Sequence, residues 1–296
     1  VKNHAEENRG RTPRQKKMWF GSHVSNGNVH FLNHTEVIQK MDYVVLGKSN
    51  LLVSRTAFGA MSLKELPSQD DATALVKEAF DDGVNFFDTS KATPESERRL
   101  GIAIESLKIR KDVIIATKTA AHSAEEIAED LDESLRNLRV DYIDLYQIEK
   151  PGLLPKRGGD DGVVEKLENL KKAGVIRHFG VTTESMDVAH SVLFSDVGWE
   201  TLQYPFNMIC TEDVVELVEE YAKADIGFIA MRPLCGGIID NIPLALGFLR
   251  RFENVVPVWG ARNSEELGQI LYFTKNPPLV DEKFRKDVDE RREFFN

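Results

Sequence analysis

Three ionisable residues each follow a short strand-like stretch: Asp88 closes residues 84–87, Lys118 comes just after 113–116, and Glu149 ends 142–148. Groups at the ends of successive buried strands of a barrel share one mouth, so these three should converge. An aspartate beside a lysine there can hold a buried ion pair. A glutamate in a closed, partly apolar pocket can have its pKa raised and act as an acid. Next to Lys118, Glu149 reads first as the ionised half of a salt bridge and second as that acid. The competing reading of all three is a structural ion-pair network on a rim. Two neighbours complete the set. Thr93 precedes Pro94, the pattern of an N-cap with proline at N1, so its hydroxyl reads as a helix cap. His122, in the loop after Lys118, is a third candidate acid, against the plainer reading of a solvated histidine.

The elements that must position these groups alternate regularly. Strands are expected at residues 56–58, 84–87, 113–116, 142–148, 176–181, 199–203, 227–231 and 255–258. Helical periodicity follows each, as in Leu100, Ala103, Ile104 and Leu107, or Ile127, Leu131, Leu135 and Leu138. Ser123 and Glu126 read as a capping box, and Ser185 and Thr211 as helix starts. Residues 43–54 read as a β-hairpin, and 281–295 as an amphipathic tail helix. Eight strand–helix repeats predict an α/β (β/α)8 TIM barrel in one domain, residues 41–296. Residues 1–40 show no period and hold four of the seven histidines: His4, His23, His30 and His34. They read as an unstructured extension rather than a metal-binding tail, because the spacings match no familiar ligand set.

Charge is uneven along the chain. The first 40 residues carry seven Lys/Arg against three Glu, a net of +4; with the whole at −10, the remainder sits at −14. An acidic body argues against nucleic acid as a partner. An anionic ligand would then need a local nest of backbone N–H groups and arginine. No apolar run approaches the roughly 18 residues of a membrane span, and no apolar segment follows the basic start, so neither a membrane role nor secretion is expected. Two cysteines, Cys210 and Cys235, fit a reducing, cytoplasmic setting.

The segments NFFDT, SERRLG and IATKT resemble the aldo-keto reductases. The resemblance spans essentially residues 41–296. It is strongest to a subgroup marked by stretches such as GVIRHFGV, LQYPFN, AMRPLCGG and VPVWGARNSEEL. It implies that the hairpin plugs the barrel floor. It also implies hydride transfer between a nicotinamide and a carbonyl carbon while a tyrosine protonates the oxygen. In that scheme Lys118 would lower the tyrosine's pKa, Asp88 would hold the lysine, and a histidine would orient the carbonyl. Here the tyrosine position is Thr93 and the histidine position is Glu149. An aliphatic hydroxyl is a far weaker acid than a phenol. The family's steroid double-bond reductases also carry Glu at the second position, though they keep the tyrosine. The implied catalytic set is therefore Asp88, Lys118, Glu149 and Thr93, with two departures.

The resemblance also implies a cofactor site built largely in the second half. Thr182, Thr183 and Gln203 would meet the nicotinamide carboxamide, with Asp88 and, from the segment AFGAM, Gly59 and Met61 nearby. Pro233, Leu234 and Gly236 would strap the pyrophosphate. Gly260 and Arg262, with the helix starting near Ser264, would approach the adenosine phosphate. Glu266 stands where the family has Gln or Arg, Ile270 where it has Asn, and Trp259 where it has a small residue. The implied cofactor is NADP or NAD, with NADP favoured on family grounds. Members of the subgroup commonly continue into a cysteine-rich iron–sulfur segment; these 296 residues contain none.

Two functions follow as expectations. One is a nicotinamide-dependent oxidoreductase with altered proton donors, acting on a small carbonyl or enone. The other is a catalytically silent reductase-like protein that binds NAD(P) as a sensor or docking module, as potassium-channel beta subunits suggest. A protein partner through the C-terminal helix is a further expectation.

Overall fold

The computed structural model describes residues 40–295, so the expectations for the histidine-rich start lie outside the described residues. A hairpin comes first: β1 (Tyr43–Val45) pairs antiparallel with β2 (Leu52–Ser54). Eight strands follow: β3 (Ala57–Gly59), β4 (Phe86–Asp88), β5 (Ile114–Thr119), β6 (Ile143–Glu149), β7 (Ile176–Thr182), β8 (Thr201–Pro205), β9 (Gly227–Met231) and β10 (Val255–Trp259). They pair in parallel in that order and close into a barrel where β10 returns to β3. The helices α1 (Gln69–Asp81), α2 (Pro94–Leu107), α3 (Ala124–Leu138), α4 (Val163–Lys172), α5 (Met186–Leu193), α6 (Glu212–Lys223), α7 (Ile242–Leu249) and α8 (Ser264–Lys275) connect or follow the strands. A last helix, α9 (Glu282–Phe295), buries Phe284 and Val288 and leaves Phe294 exposed. The (β/α)8 barrel is the architecture the alternation predicts. None of the described helices is long and apolar enough to cross a membrane.

The period-two alternation of each strand sorts side chains into two layers. Ala57, Phe86, Ala116, Leu145, Ile229 and Val256 form a cluster inside the barrel, and Leu46 and Val53 of the hairpin segment pack into it from below. The hairpin therefore does plug the floor. Gly47 makes that seat possible: its φ is +50°, and a Cβ there would lie 2.3 Å from the Gly227 nitrogen. Asn85 ties the plug to the barrel, accepting from the Ser54 N–H at 2.6 Å and donating to the Leu52 carbonyl at 2.9 Å. The other face of each strand, with Phe87, Ile115, Tyr146, Phe179 and Tyr204, packs under the helices.

Local capping differs from expectation at two points. Ser123 does accept from the Glu126 N–H, but the Glu126 carboxylate reaches the His122 N–H at 2.7 Å, one residue outside the expected box. Thr211 occupies the N-cap position of α6, yet its hydroxyl bonds the Asp213 carboxylate instead of capping.

Gly180 on β7 gives a stability prediction. A Cβ there would sit 2.0 Å from the Thr201 hydroxyl and 2.7 Å from the Thr201 carbonyl, so neighbouring backbone must move to admit it. Overpacking of this kind costs typically about 1–3 kcal/mol. Gly180→Ala should lower the midpoint of thermal unfolding by roughly 2–4 °C per kcal/mol. A melting curve unchanged from wild type would mean that β7 and β8 separate readily.

Candidate active site

The layer that holds Phe86, Ala116 and Leu145 ends, two residues further on, in Asp88, Lys118 and Gln147, with Glu149 beyond. These positions lie at the C-terminal ends of β4, β5 and β6. Register joins Lys118 to Gln147, Glu149 to Thr182, and Thr182 to Gln203, so the polar ring continues onto β7 and β8. Strand-end placement at the barrel mouth is thus a consequence of parity.

Lys118 donates to both Asp88 oxygens at 2.7 and 2.8 Å and to the Thr89 carbonyl at 2.6 Å. Both side chains of this pair are 4% exposed. An ammonium has three donors, so all three are engaged. Gln203 adds a bond to Asp88 at 3.3 Å, and Gln147 donates to Gln203 at 2.8 Å. Burial pushes the Asp88 carboxyl above its ordinary value, and the Lys118 charge and hydrogen bonds pull it back. The buried pair is thus joined to a polar chain that reaches across four strands.

Glu149 is not part of that pair, which corrects the expected salt bridge to Lys118. Its carboxylate accepts from the buried Ser90 hydroxyl at 2.8 Å, and Ser90 in turn accepts from the Ala92 N–H at 3.2 Å. The physical reason is saturation: Asp88 and the Thr89 carbonyl leave the ammonium nothing to donate. Thr93 also departs from its expected job. It stands at the N-cap of α2, but its side chain makes no capping bond; its carbonyl accepts from the Ser96 N–H at 3.0 Å instead. His122 is exposed. Among the described residues no tyrosine hydrogen-bonds Lys118 or Asp88. Tyr146 and Tyr204 sit at the outward parity, in the layer under the helices.

The expected cofactor residues fall into three groups. Thr182, Thr183 and Gln203 come together at the mouth: the Thr182 hydroxyl lies 3.4 Å from the Gln203 carbonyl oxygen, and the Thr183 N–H donates to the Gln203 main-chain carbonyl at 3.0 Å. Pro233, Leu234 and Gly236 lie on the loop after β9, with Gly236 at φ +69° and no heavy atom within 4 Å of a Cβ position. Gly260, just past β10, is equally open. Such bare backbone suits close approach by a pyrophosphate. Gly59 differs, because a Cβ there would press on Val258 and the Trp259 carbonyl at 3.1–3.2 Å; it is a packing glycine at the β3–β10 seam. Met61 is 41% exposed in the turn that follows. Trp259 and Ile270 are buried under the helix layer, so neither faces a ligand. Arg262 and Glu266 pair with each other at 2.8 Å, and the guanidinium holds the Glu266 carboxyl below the usual carboxylate range.

Comparison identifies the class of this barrel, which carries a buried Asp–Lys pair at its mouth and bare glycines on the loops after its last two strands. The model of the Aldo/keto reductase family matches residues 55–244. L-galactose dehydrogenase of Arabidopsis thaliana is 32% identical over 246 residues, covering 76% of this chain and 72% of that one. A probable voltage-gated potassium channel subunit beta of Oryza sativa is 27% identical, covering 73% of each. Among solved structures, the holo form of an aldo-keto reductase from Bacillus halodurans superposes with a TM-score of 0.74 at 22% identity, over 84% of this chain and 96% of that chain. The chain belongs to the aldo/keto reductase family.

Two site groups escaped the sequence reading. Ser90 follows Asp88 by two residues, and only the bond to Glu149 reveals it. Gln147 was legible in principle, since it stands two residues before Glu149 on one strand face.

Proposed function

We propose that the chain is an NAD(P)-dependent oxidoreductase whose proton is handled by Glu149 and Ser90 in place of a tyrosine. The observation that carries this reading is the Ser90–Glu149 hydrogen bond at the mouth beside the buried Lys118–Asp88 pair. A nicotinamide bound against Thr182, Thr183 and Gln203 would supply or accept the hydride. In reduction, a protonated Glu149 would deliver its proton to the substrate oxygen, directly or with the Ser90 hydroxyl as relay. In oxidation the same carboxylate would take the proton from the substrate hydroxyl. Lys118 and Asp88 form one buried ionised pair whose charges set the field felt by an oxygen at the mouth. Two relatives carry names that point to polyhydroxylated substrates: L-galactose dehydrogenase and, at 32% identity over 48% of this chain, 6-dehydroglucose reductase of Novosphingobium aromaticivorans. The Glu149 carboxylate at the mouth is an acceptor that suits the hydroxyls of such a substrate class.

A second reading is favoured by a different observation. Every Lys118 donor is engaged and, among the described residues, no tyrosine hydrogen-bonds the Lys118–Asp88 pair, which is what a silent, dinucleotide-binding relative would carry. The potassium-channel subunit among the relatives makes this reading concrete, and α9, with Phe294 exposed, is the face for a partner.

One experiment separates them. The protein, loaded with NADH or NADPH, is offered a panel of aldehydes, ketones and enones, and with the oxidised nucleotides L-galactose and glycerol. Turnover on any member supports the enzyme. Saturable nucleotide binding with no turnover supports the silent module.

A further inference from the structure

The pair at the start of α8 bears on which dinucleotide enters, and the inference rests on the reading that one does. Arg262 gives Glu266 three donors: its main-chain N–H at 2.9 Å, one terminal guanidinium nitrogen at 2.8 Å, and Nε at 3.4 Å. Glu266 is fixed in place from the other side, since its own N–H donates to the Asn263 carboxamide at 2.8 Å as part of the helix cap. The carboxylate is therefore folded back over the first turn, and the guanidinium is already neutralised. Glu265 adds a second carboxylate on the same turn, and Glu65, from the turn after β3, also acts on Arg262. Counting Lys64 and Arg262 against Glu65, Glu265 and Glu266, this corner carries a net of −1, on a body that is itself acidic.

A ribose 2′-phosphate carries close to two negative charges and needs an unshared arginine or lysine. A ribose diol needs an acceptor, and a carboxylate is a good one. We propose that the site takes the unphosphorylated dinucleotide, NAD(H), and that Glu266 is the residue that sets this choice. Glu266 acts twice: it occupies the Arg262 guanidinium at the start of α8, and it repels a 2′-phosphate itself. This reverses the preference that family resemblance alone suggests.

The test uses the full chain and direct binding, with no substrate needed. NADH and NADPH are titrated separately, following quenching of tryptophan emission, at low and at physiological salt. Wild type should bind NADH at least about tenfold more tightly than NADPH, a difference of about 1.4 kcal/mol. Screening by salt should narrow that gap. Glu266→Gln keeps the cap, because the N–H to Asn263 is main-chain, and frees Arg262. It should tighten NADPH by about tenfold or more and raise the affinity for NADPH relative to NADH by at least that factor. Glu266→Ala should move in the same direction. Equal or tighter NADPH binding in wild type overturns the inference, as does a ratio unmoved in both variants. Saturation by neither nucleotide overturns the dinucleotide reading, and this inference with it.

Discussion

Lys118→Met should lose both turnover and stability. The ammonium it removes is the partner of an aspartate that is only 3% exposed. Left behind, Asp88 keeps one bond of 3.3 Å from Gln203. Removing one half of a buried ion pair typically costs about 3–5 kcal/mol, because the other charge stays buried and unpaired. Burial already pushes the Asp88 carboxyl above its ordinary value, and loss of the ammonium removes what pulls it back. The melting midpoint should fall by several degrees, at roughly 2–4 °C per kcal/mol. Turnover should fall by far more than the unfolded fraction explains. The double variant Lys118→Met, Asp88→Asn tells the two effects apart. It removes the stranded charge, so stability should return in part while turnover stays lost. A single variant as stable as wild type would mean that water reaches Asp88 and that the pair is not sealed.

What could be read from the sequence, and what could not, follows the range of the forces involved. Strand–helix alternation, the hairpin and the strand-end positions of Asp88, Lys118 and Glu149 are set by local periodicity, and all were legible. Boundaries moved by one to three residues. Residues 84–87 were read as a strand, but Val84 and Asn85 lead in, because the Asn85 amide is occupied by the hairpin. Pairing at the mouth was not legible. Whether Glu149 meets Lys118 or Ser90 depends on which acceptors reach the ammonium first, a competition between three strands. The Thr93–Pro94 dipeptide signalled a helix start correctly, yet it could not show that the hydroxyl leaves the cap unmade. Arg262 and Glu266 each read as facing a ligand; Arg262 stands just before the N-cap Asn263 and Glu266 lies in the first turn of α8, four residues on, and their mutual contact prevails.

Glu149→Gln should lower turnover by about 10²–10⁴-fold, the usual worth of general acid–base help, with nucleotide affinity unchanged. Gln keeps the size of the side chain and an oxygen to accept from Ser90, so the fold has little reason to change; it cannot carry the proton. Ser90→Ala should lose less if Glu149 reaches the substrate itself, and as much if the hydroxyl is an obligatory relay. Thr93→Tyr supplies the contrasting experiment. The Thr93 side chain makes no capping bond, so its replacement forfeits none. The site is nearly closed, however, at 8% exposure, and Pro94 fixes the backbone beside it. A new phenol must also draw a donor of Lys118 away from Asp88 or the Thr89 carbonyl. Its gain in single-turnover rate, at matched nucleotide occupancy, should therefore be small while Glu149 is intact. The opposite pattern would be decisive: an inert wild type, indifferent to Glu149→Gln, in which Thr93→Tyr switches reduction on. That result would remove Glu149 from the mechanism and leave a reductase scaffold that binds its dinucleotide without turning over.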